Sequence, residues 1–211
     1  SGCLDALTTG ASNVAVGYNA GTALTTSANN TIVGYSTGAA ITTGGTNTAF
    51  GAYALDACTT GVVNAAFGVN ALGAVTDGGY NTAFGNEAGA AITTGSYNAM
   101  FGYMAGDALT TASGVTCIGY SAGGAITTGD TNTAVGSQTL DACTTGSGNT
   151  AMGNDAGGAI TTGTYNNFFG NSAGVATTTA SHVLGIGASA LVANTTGTQN
   201  VAVGNYSLDA C

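Results

Sequence analysis

Asn47-Thr48-Ala49-Phe50-Gly51 is one instance of a unit whose variants return at one fixed interval down the whole chain. Its glycine recurs as Gly17, Gly34, Gly51, Gly68, Gly85, Gly102, Gly119, Gly136, Gly153, Gly170, Gly187 and Gly204, every 17 residues, with no insertion or deletion. A period held this strictly identifies a repeat architecture whose core grows along one axis. Residues 1–211 therefore read as a single repeat array and an elongated body, not as one or two globular domains.

Aligning the repeats gives columns. The residue before each glycine is always large and apolar (Val33, Phe50, Phe84, Ile118, Met152), and hydrophobicity alone places it in the core. Six residues after each glycine stands alanine, as in Ala23, Ala40 and Ala193, which predicts a site that admits only a small side chain. The next column (Leu24, Ile41, Val75, Ile126, with Cys58, Cys143 and Cys211) predicts a second core wall. Then come Thr, a second Thr in nearly every repeat, and Gly, Ser or Ala, which reads as a strand end turning a corner. Variable pairs such as Val62-Val63, Ser96-Tyr97 and Asp130-Thr131 follow, and predict a solvent-facing bend.

A 17-residue unit is too short for helical-hairpin repeats, and its Gly, Thr and β-branched content opposes helix. The expected fold is all-β: a parallel β-solenoid of about twelve 17-residue coils, with strands near Thr48-Ala49-Phe50 and Ala40-Ile41-Thr42. At ~4.8 Å per coil the rod would be roughly 60 Å long. Stacked coils explain the column Asn13, Asn30, Asn47, Asn64, Asn81, Asn98, Asn132, Asn149, Asn166 and Asn200 as an amide ladder, interrupted by Val115 and Val183. In the first Thr column, a hydroxyl can satisfy neighbouring backbone groups while its methyl packs. Four residues after the glycine, Leu (Leu55, Leu72, Leu140, Leu191, Leu208) alternates with Gly (Gly38, Gly89, Gly106, Gly123, Gly157). That alternation reads as recent duplication, or as the lining of a contact with another chain.

Composition narrows the function. The chain has no Lys, Arg, Pro or Trp, nine acidic residues and one histidine, for a formal net charge of −9. It cannot neutralise phosphates, so no nucleic-acid partner is expected, and repulsion disfavours anionic membrane surfaces. No apolar run is long enough to insert into a bilayer, and no signal peptide opens the chain. Apolar residues make up 44% of the sequence and recur at fixed positions, which argues against disorder.

Asn30-Thr31-Ile32-Val33-Gly34, Asn47-Thr48-Ala49-Phe50-Gly51 and Asn200-Val201-Ala202-Val203-Gly204 resemble the N-S/T-V-A-I-G element of trimeric autotransporter adhesin heads, and similar repeats in viral and bacterial surface fibres. The resemblance covers nearly the whole chain. It implies a left-handed parallel β-roll, commonly trimeric, displayed outside the cell or on a virion surface and used for attachment.

The inventory for catalysis is meagre, and the chain is not expected to be an enzyme or to hold a cofactor or metal. His182 lies in the variable bend column without a partner. Asp5, Asp56, Asp107, Asp141 and Asp209 share a column but stand three, three, two and four coils apart, too far to converge on one ion. Cys58, Cys143 and Cys211 are separated by five and four coils, beyond disulfide reach, so buried thiols are expected. At a joint between rods, Cys211 of one copy and Cys3 of the next are candidates for an intermolecular disulfide. Sequons mark Asn29, Asn194 and Asn205 as candidate N-glycosylation sites, Asn194 standing in a core column. The second Thr column, with Thr9, Thr26, Thr43, Thr60, Thr94 and Thr111, offers candidate O-glycosylation sites if it faces outward.

The chain begins and stops partway through a unit, as a processed chain or a segment of a longer one would, and both ends keep the repeat uncapped. Uncapped solenoid ends predict open, head-to-tail assembly. The leading expectation is a structural protomer or segment of an extracellular fibre, self-associating into a filament or trimer, with adhesion to glycans or a cell surface as a variant. The alternative is ice binding through an ordered Thr column on a flat solenoid face.

Overall fold

The computed structural model describes residues 2–209. Its strands are three residues long: β1 (Val14–Val16), β2 (Thr31–Val33), β3 (Thr48–Phe50), β4 (Ala65–Phe67), β5 (Thr82–Phe84), β6 (Ala99–Phe101), β7 (Thr116–Ile118), β8 (Thr133–Val135), β9 (Thr150–Met152), β10 (Asn167–Phe169), β11 (Leu184–Ile186) and β12 (Val201–Val203). All twelve pair parallel, in chain order, in one sheet. Register follows the period: Thr31 pairs with Thr48, Ile32 with Ala49 and Val33 with Phe50. The protein is thus an all-β parallel solenoid with one strand per 17-residue coil.

The second strand expected around Ala40-Ile41-Thr42 does not form; these residues run through turn and bend. The reason lies just upstream, where alternate residues adopt left-handed backbone, Ser36 at φ 50° and Gly38 at φ 56° in this coil, Tyr53 at 61° and Leu55 at 52° in the next. An extended run cannot survive that alternation. Hydrogen bonds between coils persist nonetheless, from Gly38 N–H to Ala54 C=O at 2.9 Å and from Thr42 N–H to Thr59 C=O at 3.0 Å. The invariant glycine has a separate cause. Gly51 sits at φ 136°, and a Cβ there would run into the carbonyl of Gly68 in the next coil. Only glycine allows both the angle and the approach.

The column before the glycine is not a core wall. Phe50, Phe84, Phe101, Ile118 and Met152 are exposed, and it is the middle residue of each strand (Ile32, Ala49, Met100, Cys117, Phe168) that is fully buried. A three-residue strand sends its centre to one face and its flanks to the other. The narrow interior already takes the Ala54, Ala71 and Ala88 column and the Leu24, Ile41 and Cys58 column, all buried as well. The inward strand position therefore holds alanine in most coils, and the large residues of the next position are displaced outward.

Where the inward strand residue is large, the residue six later is glycine: Ile32 with Gly38, Met100 with Gly106, Cys117 with Gly123, Phe168 with Gly174. Where it is Ala or Gly, leucine can stand there, as Ala49 with Leu55, Ala66 with Leu72, Ala134 with Leu140 and Gly185 with Leu191. Leu55, Leu72, Leu140 and Leu191 are fully buried, so the Leu/Gly alternation lines no contact with another chain. It is volume compensation: a Cβ on Gly174 would meet the Phe168 ring, and one on Gly106 would approach Met100 and Leu109. The Ala23 and Ala40 column is only half-buried, so enclosure does not account for its uniformity.

The amide ladder forms as expected. Asn64 N–H donates to Asn47 Oδ1 at 2.9 Å, while Asn64 Nδ2 donates across the corner to Gly78 C=O at 2.9 Å. Asn81 and Asn98 repeat the pattern on Gly95 and Ala112. Each buried amide thereby satisfies backbone groups of the adjoining coils, which water cannot reach. The first Thr column does the same at the surface, with Thr25 Oγ1 donating to Thr42 C=O at 3.2 Å and Thr110 Oγ1 to Thr127 C=O at 3.0 Å.

Candidate functional surface

The outer face of the sheet is the most distinctive surface of the rod. Its first strand position is small or β-branched (Thr48, Ala65, Thr82, Ala99, Thr116) except at Asn167 and Leu184, and the third holds the large apolar residue. Parallel register puts like over like, so the third positions form one continuous ridge from Val16 to Val203. Within it Phe50, Phe67, Phe84 and Phe101 stack, with centroids 5.2, 4.3 and 5.2 Å apart and interplanar angles of 9°, 8° and 5°. Stacked rings spend their faces on one another and turn their edges outward. Two tyrosine pairs follow just past the invariant glycine, Tyr18–Tyr35 at 5.4 Å and Tyr103–Tyr120 at 5.9 Å.

The second Thr column forms a separate file. Thr9, Thr26, Thr43, Thr60, Thr94 and Thr111 are all exposed, and Asp77 breaks the file while accepting from Thr60 Oγ1 at 2.6 Å. Beside it runs the variable bend, where Val63, Tyr97, Thr131 and His182 are exposed at positive φ. His182 lies against Tyr165, with ring centroids 5.4 Å apart and planes tilted by 31°.

The sequons divide by burial. Asn29 is exposed at φ 61°, and Asn205 is exposed with its Oδ1 accepting from Ala188 N–H at 2.9 Å. Asn194 is 4% exposed and its Nδ2 donates to Gly197 C=O at 3.1 Å, so the folded chain does not present it. Cys3 is half-buried and donates to Gly17 C=O at 2.7 Å, while Cys211, its suggested partner, lies outside the described residues.

Cys58, Cys117 and Cys143 are buried as small hydrophobes. Burial pushes the Cys58 and Cys143 thiols up to about 11 and Cys117 to about 12, against the nucleophilic direction. Asp56, Asp107 and Asp141 are also raised, chiefly by desolvation, and no cation stands near to oppose it. Among the described residues no three His, Cys, Asp or Glu side chains cluster as a metal site, and no helix is long and apolar enough to cross a membrane.

No protein-family model, curated protein or solved structure matches this chain. What the surface can do follows from its own chemistry. The described residues enclose no ligand-sized cavity. The rod instead offers three long parallel files: an apolar ridge, a hydroxyl file and a variable bend. Each repeats at the coil spacing, so each is suited to recognising something that is itself extended or periodic. The ridge is the feature that residue-by-residue hydrophobicity missed. Its signal was present in the size compensation between Phe168 and Gly174 or Ile32 and Gly38, which assigns the interior to the middle strand residue.

Proposed function

We propose that the chain is a structural protomer or segment of an extracellular fibre, whose continuity is carried from coil to coil along the solenoid axis. The supporting observation is that the coils are interchangeable. From β1 to β12 each strand residue stands in register beside its equivalent 17 positions away, so the upper backbone edge of one coil matches the lower edge of the next. Such a unit extends without a change of geometry, whether within a longer chain or between copies joined end to end. The likeness of Asn47-Thr48-Ala49-Phe50-Gly51 to adhesin-head repeats supports display at a cell or virion surface, with attachment as an added role and with sugars on Asn29, Asn205 or the exposed threonines. Negative-stain electron microscopy of the concentrated chain tests this. Filaments many rod-lengths long are expected, and a field of separate single rods would contradict it.

The exposed file Thr9, Thr26, Thr43, Thr60, Thr94 and Thr111 favours ice binding as a second reading. It is the weaker one. The first Thr column spends its hydroxyls on backbone carbonyls, leaving a single file where a lattice match needs breadth. Thermal hysteresis measured on the isolated chain separates the two.

A further inference from the structure

The outer sheet face is unpartnered, and its dimensions, charge and relief all specify what covers it. Eleven steps of ~4.8 Å give a length of ~53 Å, and two outward residues per strand with their side chains give a width of ~12 Å, hence ~640 Å². The apolar ridge takes about half of this face, ~320 Å², the size of the largest apolar patch on a typical monomer. Covering it from two copies buries ~1,300 Å², within the range of specific protein interfaces.

The nine acidic residues all lie elsewhere. Asp5, Asp56, Asp107, Asp141 and Asp209 follow the Leu/Gly column, Asp77 stands in the exposed Thr file, Asp130 on the variable bend, and Glu87 and Asp155 in the turn after the invariant glycine. The outward strand positions carry no charge at all. A basic partner finds nothing to pair with on this face, and a second copy brings no like charges against it.

The relief selects the geometry. The large third positions form a ridge, and the Thr and Ala of the first positions form a shallow furrow parallel to it. A two-fold axis perpendicular to the rods, within the interface plane, sets ridge on ridge. An axis running along the rods sets each ridge in the other's furrow, Phe84 of one copy lying over Thr82 of the other at the same height. Because both copies repeat at the same coil spacing, this match recurs through β2–β9, where every first position is Thr or Ala.

We infer that this chain pairs laterally with a second copy of itself through the outer sheet face, two rods lying side by side with the same axial direction, each apolar ridge seated in the other's Thr/Ala furrow. This pairing does not depend on end-to-end joining, because it uses the side of the rod and leaves both coil edges free.

Sedimentation velocity over a concentration series tests it directly. The full chain is expected to show a concentration-dependent dimer that strengthens with added salt, since salt screens two bodies of charge −9 while leaving an uncharged interface intact. Phe84→Lys with Ile118→Lys should weaken the dimer at least about tenfold. The uncharged triple variant Phe67→Thr, Phe84→Thr and Phe101→Thr should do the same, and covers the case in which the lysine variant fails to fold. Thr94→Lys, on the exposed Thr file, should leave the dimer unchanged, with circular dichroism verifying the fold of each variant. A monomer throughout, a trimer, a dimer that weakens with salt, or a dimer lost in Thr94→Lys but kept in the ridge variants would overturn the inference. Filaments without lateral pairing would overturn it while leaving the fibre reading intact, and paired single rods would do the reverse.

Discussion

Replacing Phe168 tests the compensation that fills the interior. Phe168 is the largest fully buried side chain, and its ring occupies the space over Gly174 and reaches toward Gly157 and Gly185. Phe168→Ala should cost about 3–5 kcal/mol, the usual loss for emptying an aromatic core site. Gly174→Leu alone should also destabilise, by about 2 kcal/mol or more, because the new side chain enters the ring's space. The left-handed backbone adds about 1 kcal/mol of strain but does not forbid the change, since Gly174 has φ 62° and Leu55, Leu140 and Leu191 adopt 52°, 54° and 58° at equivalent positions. The double variant recreates the Ala/Leu pairing of the Ala49–Leu55 and Ala134–Leu140 coils and restores about two-thirds of the lost carbon atoms, so it should lose only about 1–2 kcal/mol. At about 2–4 °C per kcal/mol for a chain this size, Phe168→Ala melts roughly 6–20 °C early and the double variant recovers most of that. Thermal melts by circular dichroism give the comparison. A double variant no more stable than Phe168→Ala would refute the idea that these two columns share one volume.

Three further outcomes follow from the same geometry. Burial raises Asp56, Asp107 and Asp141, so the folded state holds their protons more tightly than the unfolded chain. Their contribution is complete below the ordinary aspartate value of ~3.9 and is lost as pH rises through the raised values. With no Lys or Arg to form ion pairs, melting temperature should therefore rise as pH is lowered from 7 toward 4, and a fall would contradict the assignment. Val115→Asn should stabilise by about 1 kcal/mol, because the Asn132 N–H lacks the side-chain acceptor that Asn132 Oδ1 gives Asn149 at 2.9 Å; denaturant titration reads it. Alkylation of the native chain at pH 8, mapped by mass spectrometry, should label Cys3 but leave Cys58, Cys117 and Cys143 unmodified until the protein is unfolded.

The coil, its length and the parallel stacking were legible because they rest on backbone constraints that leave fixed residues: glycine where φ is near +135° and coils touch, asparagine where a corner needs both a donor and an acceptor. The side of the strand that faces inward was not legible by the same route. Phe50 and Ala49 are neighbours, and the general preference for buried phenylalanine chooses the wrong one, because a coil of 17 residues encloses too little room. Only covariation in size, Ile32 with Gly38 or Gly185 with Leu191, exposes the true interior. The absent second strand had a local cause that composition hides. Leucine and tyrosine at Leu55 and Tyr53 are unremarkable strand residues, yet both take left-handed angles because the coil must close. The burial of Cys58 and Cys143 followed from their column, while the outward face of the second Thr file, only a condition in the sequence, is set by the coil. The apolar ridge emerged only once the strand faces were assigned.

Whether these rods join along their own axis is tested most directly by X-ray diffraction from an aligned gel of the concentrated chain. Stacked coils joined end to end place a sharp ~4.8 Å reflection on the meridian, parallel to the filament. Rods lying across the filament, or not ordered at all, would put that spacing on the equator or in an even ring, and either result would contradict a fibre built from coil upon coil.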